Sequence, residues 1–372
     1  MKLENKKIGR HFFAFLWTGV RRNYDNLDNL DDSIAKRLGG DQQDSAVEIH
    51  LSKMFSEIFR RHSKDEADRL FIVGTRTTTP SLHKVSSRPV KPWFFSRIFL
   101  VLAVSFAMLM LLLFLFKSNK AIPGLIFIGS LMVPFSLMMM FFEINVYQNI
   151  SVLQVLTTFL VGGILSLLVT MTFYLMLPIR TDVSIASALI VGIVEELAKC
   201  VVVIIFINSY KLNYIFNGVL VGAAVGAGVS VFESSGYISQ YGLMTIFTRS
   251  FQAIGTHTIW AAIVGGAIIL AKTRKKPFTI KDFFTKPKFY VFLLITIGLH
   301  TFWDWDIPDT GLSVSIMQEI LDVVIGWFLI YIMIDAGLRE VKTLQGQRIV
   351  IPREKKRRPV RRPANKDWRN KK

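Results

Sequence analysis

Residues 184–208 read SIASALIVGIVEELAKCVVVIIFIN. About 20 apolar residues cross a bilayer as a helix, and this run is long enough to do so with Glu195, Glu196 and Lys199 near its middle. At a helix centre each charge costs roughly 2.5 to 3.5 kcal/mol, so three cost about 8 to 10 kcal/mol unless pairing, protonation or neighbouring helices offset them. One offset is local. Glu195 and Lys199 are four residues apart and Glu196 and Lys199 three apart, so one ammonium serves both carboxylates on one helical face. Such a group is either a polar knot that orders a bundle or a functional site, and intramembrane ionisable residues favour the second.

The composition fits a membrane bundle around that helix. Of 372 residues, 51% are hydrophobic and only 19% charged, which excludes an ordinary soluble domain. The formal charge of +18 is uneven: residues 339–372 hold 14 Lys/Arg against Glu340, Glu354 and Asp367. Beside a membrane helix, the partner expected for that tail is anionic lipid on the cytoplasmic leaflet, and no nucleic acid is expected. The single cysteine, Cys200, makes no internal disulfide and sits in an apolar run, so it reads as a small core residue rather than a thiol nucleophile.

The expected fold class is all-α, a polytopic membrane helix bundle. Eight apolar spans are expected, near 96–116, 122–142, 153–177, 184–207, 214–236, 251–271, 289–305 and 316–337. This divides the chain into a cytoplasmic N-terminal region and linker, 1–95, a transmembrane domain, 96–337, and a basic cytoplasmic tail, 338–372. In the first region, Lys2, Lys6, Lys7 and Arg10 precede an apolar patch from His11 to Val20 that is too short to span and has no clear cleavage site, so it reads as retained on the membrane surface. Ser45 with Glu48 forms a capping box, and Val47, Leu51, Met54, Phe55, Ile58 and Phe59 share one face, predicting an amphipathic helix. Residues 75–92, polar and broken by proline, read as a linker.

Charge sets the orientation. Lys84, Arg88, Lys91 and Arg97 precede or open the first span, the 272–288 loop has seven Lys/Arg against Asp282, and 303–315 has Asp304, Asp306 and Asp309 with no base. The positive-inside rule then predicts a multi-pass protein of the cell membrane with both termini cytoplasmic, which requires an even number of spans. Gly218, Gly222 and Gly226 recur every four residues in the fifth span, a face that admits a close helix neighbour.

With that orientation, Glu195 lies about 16 Å from the outer end of its span, His257 about 10 Å and His300 about 5 to 8 Å below an interfacial belt at Trp303 and Trp305, while Glu233 is near the outer end of the fifth span. Polar groups of four helices thus fall between midplane and outer face. Glu233 and Tyr237, like His300 and Asp304, are four apart and can point one way into a shared cavity. Carboxylates with imidazoles are what is needed to activate water and protonate a leaving amine.

The runs EELAK (195–199), NGVLVGAAVGAGVSVFESSGY (217–237), THTIWAAIVGG (256–266) and HTFWD (300–304) resemble the four motif blocks of PrsW-type intramembrane proteases, EExxK, FExxxY and two later histidines. The resemblance covers roughly residues 120–336. The related CAAX prenyl protease and Abi pattern has EExxxR and an HxxxN-like motif. Lys199 and Asp304 depart from it, which argues against prenylated substrates. The resemblance implies membrane-embedded hydrolysis of a peptide bond in a membrane-anchored or secreted peptide substrate, such as an anti-sigma factor. It casts Glu195 as the base that activates water, Glu196 and Lys199 as groups that hold and tune it, His257 and His300 as positioning water or stabilising the oxyanion, and Glu233 and Asp304 as orienting them or sharing the proton traffic. Two imidazoles plus a carboxylate also make a plausible zinc set, but there is no HExxH and spacing alone does not require a metal. The competing classes are an ion-coupled transporter, since intramembrane carboxylates and histidines build proton relays, and a non-catalytic membrane binding protein. An inverted-repeat transporter should show a second polar helix in the corresponding half, and the first three spans carry no mid-span charge comparable to Glu195.

Overall fold

The computed structural model of the protein describes residues 54–177, 184–307 and 312–346. Among these residues the structure is helical, with no strand. The main helices are α1 (Phe94–Phe114), α2 (Ile122–Ile144), α3 (Val152–Met176), α4 (Ile185–Ser209), α5 (Ile215–Tyr241), α6 (Thr245–Gln252), α7 (His257–Ala271), α8 (Pro287–Asp304) and α9 (Leu312–Leu344). A π-turn at Thr158–Gly162 interrupts α3.

Six segments are long and apolar enough to cross a membrane: Phe94–Phe114, Asn119–Ile144, Val152–Met176, Ile215–Tyr241, Thr245–Ala271 and Ser315–Leu344. Eight were expected. The other two, near 184–207 and 289–305, are the helices α4 and α8, and these carry Glu195, Glu196 and Lys199 on one and His300 and Asp304 on the other. At 1.5 Å per residue, 25 residues of α4 rise about 37 Å and 18 of α8 about 27 Å, so length permits a crossing and polarity sets them apart.

At the centre stands α5, buried on all sides along its first 17 residues, from Ile215 to Val231. A helix apolar all round belongs in the middle of a bundle. It runs against α7, with α2, α3, α4 and α9 around the pair, while α4 packs on α8 and α8 on α7. The glycine face predicted in the fifth span makes the α5–α7 contact: a methyl group on Gly222 or Gly226 would overlap the carbonyl oxygen of Ala261 or His257. By contrast, α1 packs on α2 and leaves Leu100, Val104, Met108, Leu111 and Leu115 exposed. A row of that kind suits hydrocarbon rather than water.

Two helix starts, those of α1 and α5, are closed by carboxylates from other helices. Glu143, at the end of α2, accepts the backbone N–H groups of Trp93, Phe94 and Phe95 at 2.8–2.9 Å, and Glu340 of α9 accepts that of Ile215 at 2.9 Å. Negative charge there satisfies orphan donors and complements the helix dipole.

The segment before α1 is docked rather than loose. Gly74 N–H donates to the Gln148 carbonyl at 2.9 Å, and the Gln345 amide donates to the carbonyls of Leu82 and Val85, both buried, at 2.8 and 2.9 Å. The polar, proline-broken composition of 75–92 keeps it out of a helix, yet those apolar side chains find cover on the bundle. Most of the amphipathic helix expected from Ser45, the apolar patch 11–20 and the tail beyond residue 346 lie outside the described residues. Where that helix enters the described part, Met54 is buried but residues 55–59 form turns and Phe59 is exposed. The shared helical face therefore does not extend to Phe59.

Candidate active site

Four helices bring the seven expected residues together. On α4, the Lys199 ammonium lies 2.6 Å from Glu196 Oε1 and 3.9 Å from Glu195 Oε2, which is the pairing expected from spacing. It also reaches across to α7, where it is 3.0 Å from His257 Nδ1. An ammonium only donates, so Nδ1 accepts and the ring proton of His257 sits on Nε2, which donates to Glu233 Oε2 of α5 at 2.7 Å. On α8, His300 Nδ1 is 2.8 Å from Glu196 Oε1, and Nε2 is 3.2 Å from Asp304 Oδ2 and 3.8 Å from Glu195 Oε2. One chain of contacts thus runs Glu233–His257–Lys199–Glu196–His300–Asp304, with Glu195 beside its last members.

The same chain is graded in exposure. The side chains of Glu196, Lys199, His257 and His300 are 0–6% exposed, whereas those of Glu195, Glu233 and Asp304 are 19%, 24% and 34% exposed. Three carboxylates therefore face the opening, and the imidazoles and ammonium stand behind them.

Local structure explains why His257 points inward. The expected sixth span began at 251 and placed His257 well inside a continuous helix. Instead the chain leaves helical geometry between α6 and α7, where Thr256 has φ −95° and ψ −131°, and His257 opens α7. The break lets α6 fold over the mouth of the site and contribute Arg249. Its guanidinium donates to Glu233 Oε1 at 3.0 Å and lies 4.6 Å from the Tyr237 ring. Tyr237, expected to share a cavity with Glu233, therefore joins the site under Arg249.

Sequence reasoning also missed Tyr174 of α3, whose hydroxyl donates to Glu195 Oε1 at 3.4 Å, and Trp260 of α7. The Trp260 ring lies 4.7 Å from that of His300 and 5.4 Å from that of His257. Arg249 carried a usable signal, a lone cation in an apolar stretch, but it fell just outside the assigned span. Tyr174 and Trp260 carried none, because aromatic residues are common in any membrane helix.

The donor set fits a metal ion. Glu195, His257 and His300 each offer a ligand atom, and these atoms lie within 4.8 Å of one another. Two imidazoles and a carboxylate are a known catalytic zinc set with a position left for water. His300 is already oriented for it, since Glu196 holds Nδ1 and leaves Nε2 turned toward Glu195, the carboxylate–histidine arrangement of metal sites. His257 fits once it gives up Lys199 or Glu233 at one ring nitrogen.

A bundle of apolar helices that closes carboxylates, imidazoles and an ammonium around a half-open cluster holds the groups that a membrane-embedded hydrolase needs. Residues 151–334 match the model of the PrsW family of intramembrane metalloproteases, and this part of the chain is a domain of that family. It is a multi-pass membrane peptidase. The match begins at Ser151, the cap of α3, and ends within α9, so it takes in all seven site residues. Comparison with characterised proteins and with solved structures finds no match.

Proposed function

We propose that the enzyme hydrolyses a peptide bond in a membrane-anchored or secreted peptide substrate of the anti-sigma-factor kind, with Glu195 as the base that activates water. The observation that carries this reading is the meeting of Glu195, His257 and His300 in one cluster that is open only at its carboxylate side. Glu195 takes a proton from water as the water oxygen attacks the peptide carbonyl. The resulting oxyanion is stabilised by the positive groups that flank Glu195, the Lys199 ammonium at 3.9 Å and the Nε2 side of the His300 ring at 3.8 Å. When the tetrahedral intermediate collapses, the proton held by Glu195 passes to the leaving amine nitrogen, the C–N bond breaks, and a carboxylic acid and an amine result. Glu196 keeps Lys199 and His300 in place, Glu233 holds His257, and Asp304 orients His300. A metal, when bound, would be held by Glu195, His257 and His300 and would supply Lewis acidity and a more acidic water.

Three features favour hydrolysis over ion transport. The family is proteolytic, the seven charged and imidazole groups form one compact cluster, and acid, base and oxyanion donors lie within a few ångströms. The test is co-expression with single-span candidate substrates, followed by cleavage with purified protein in liposomes. Glu195→Gln keeps shape and hydrogen bonding but cannot take the proton, so it should lose about 10²–10⁴-fold in rate. If Glu195→Gln and His300→Ala both cleave at the parent's rate, this cluster is not the active site.

A further inference from the structure

The last helix carries a carboxylate that the reaction above does not use. Asp322 of α9 is 0% exposed, and neither of its carboxylate oxygens makes a hydrogen bond among the described residues. Trp260 of α7 is also 0% exposed, and its indole Nε1 makes none either. The two belong together: Trp260 is the side chain within hydrogen-bonding influence of the Asp322 carboxylate although no hydrogen bond is closed, and His300, Glu196 and Asp304 are within its electrostatic reach. Buried donors and acceptors are rarely left orphaned. A small rotation, or one enclosed water, satisfies this pair.

Trp260 forms the back wall of the site. Its ring tilts 30° against His300, meets His257 edge-on at 78°, and has the Lys199 ammonium 5.7 Å from its centroid. Three groups of the hydrolytic cluster therefore take their position from one indole. One turn before Asp322, Gln318 donates to the carbonyls of Phe302 and Trp305, which clasps α9 onto the end of α8 that presents His300. The carboxylate is thus carried on a helix already fixed to the site.

We propose that Asp322 is a positioning residue: it accepts the Trp260 indole N–H and so sets the ring against which His257, His300 and Lys199 are aligned. This rests on the hydrolytic reading of the cluster. The test uses the full-length protein in liposomes and a single-span membrane protein that the parent cleaves in co-expression, comparing Asp322→Leu, Asp322→Asn, Trp260→Phe and Asp322→Leu/Trp260→Phe, with Glu195→Gln as reference. Loss of one well-placed hydrogen bond predicts that Asp322→Leu and Trp260→Phe each lower kcat about tenfold with KM unchanged. The double variant should fall no further than either single, because both break one contact. Asp322→Asn keeps an acceptor and should recover most of the rate.

A parental kcat in Asp322→Leu or Trp260→Phe, losses that multiply, or an Asp322→Asn as slow as Asp322→Leu each overturn the proposal. Should Asp322→Leu fail to accumulate in the membrane, Trp260→Phe with and without Asp322→Asn decides: a parental rate in the first, or a further fall in the second, overturns it. Activity surviving in Glu195→Gln would instead sink the hydrolytic reading itself.

Discussion

Lys199 holds three groups at once, Glu196, His257 and more distantly Glu195, and its position decides what the histidines can do. While its ammonium donates to His257 Nδ1, that ring presents a proton rather than a lone pair to Glu233. A metal must displace one of these partners. The expected outcome is that purified protein binds zinc at one site per chain, and that His300→Ala lowers the affinity by more than the ~10–100-fold loss typical of an outer-shell change such as Glu196→Gln. Calorimetric titration with zinc, together with elemental analysis after a chelator wash, measures both. Zinc binding unchanged in His257→Ala and His300→Ala would show that the cluster does not hold the metal. Cys200, by contrast, is 0% exposed and packed in the core, so Cys200→Ala serves as a background for labelling.

At the level of helices, the site depends on how closely α5 and α7 approach. Gly226 lies against the His257 carbonyl, so its missing side chain fixes where α7 begins and hence where the imidazole sits. Gly226→Ala forces the two backbones apart at His257. Overpacking of this kind destabilises by about 1–3 kcal/mol, and cleavage should fall with it. Gly298→Ala, on α8, is the control: a methyl group there meets nothing within 4 Å, and alanine favours the helix. Thermal unfolding in detergent should therefore drop for Gly226→Ala and hold or rise for Gly298→Ala. Equal stability in the two variants would mean that the α5–α7 contact yields without strain.

Across the whole molecule, contacts gather the basic segments at one end. Gln345 binds Leu82 and Val85 beside Lys84, Glu340 meets Tyr147, Tyr147 stacks on Tyr214 at 3.8 Å, and Arg274 covers Tyr214 at 5.4 Å. Positive charge collects on the cytoplasmic side of membrane proteins. We propose that this end is cytoplasmic and that the other end, where α8 stops at Asp304 and α9 starts at Leu312, faces out. In a Cys200→Ala background, a cysteine at Ser313 should react with a membrane-impermeant reagent in intact cells and one at Thr343 should not. Labelling of Thr343 alone would invert the molecule.

By itself, the sequence determined the helical bundle, the membrane as its solvent and the glycine contact, and it singled out the seven residues that the fold gathers into one cluster. These follow from hydrophobic length, i to i+4 spacing and the penalty on buried charge, all of which act within one helix. What only the tertiary structure decided is how the residues pair: that Lys199 reaches His257 on another helix, that Glu196 rather than Glu195 holds His300, and that a break before His257 brings Arg249 to Glu233. Asp322 shows the boundary. The rule that singled out Glu195 applies equally to Asp322, one of three carboxylates in the last span with Glu319 and Asp335, but which of them faces the site depends on helix rotation, and rotation is set by packing against neighbours rather than by the helix's own sequence.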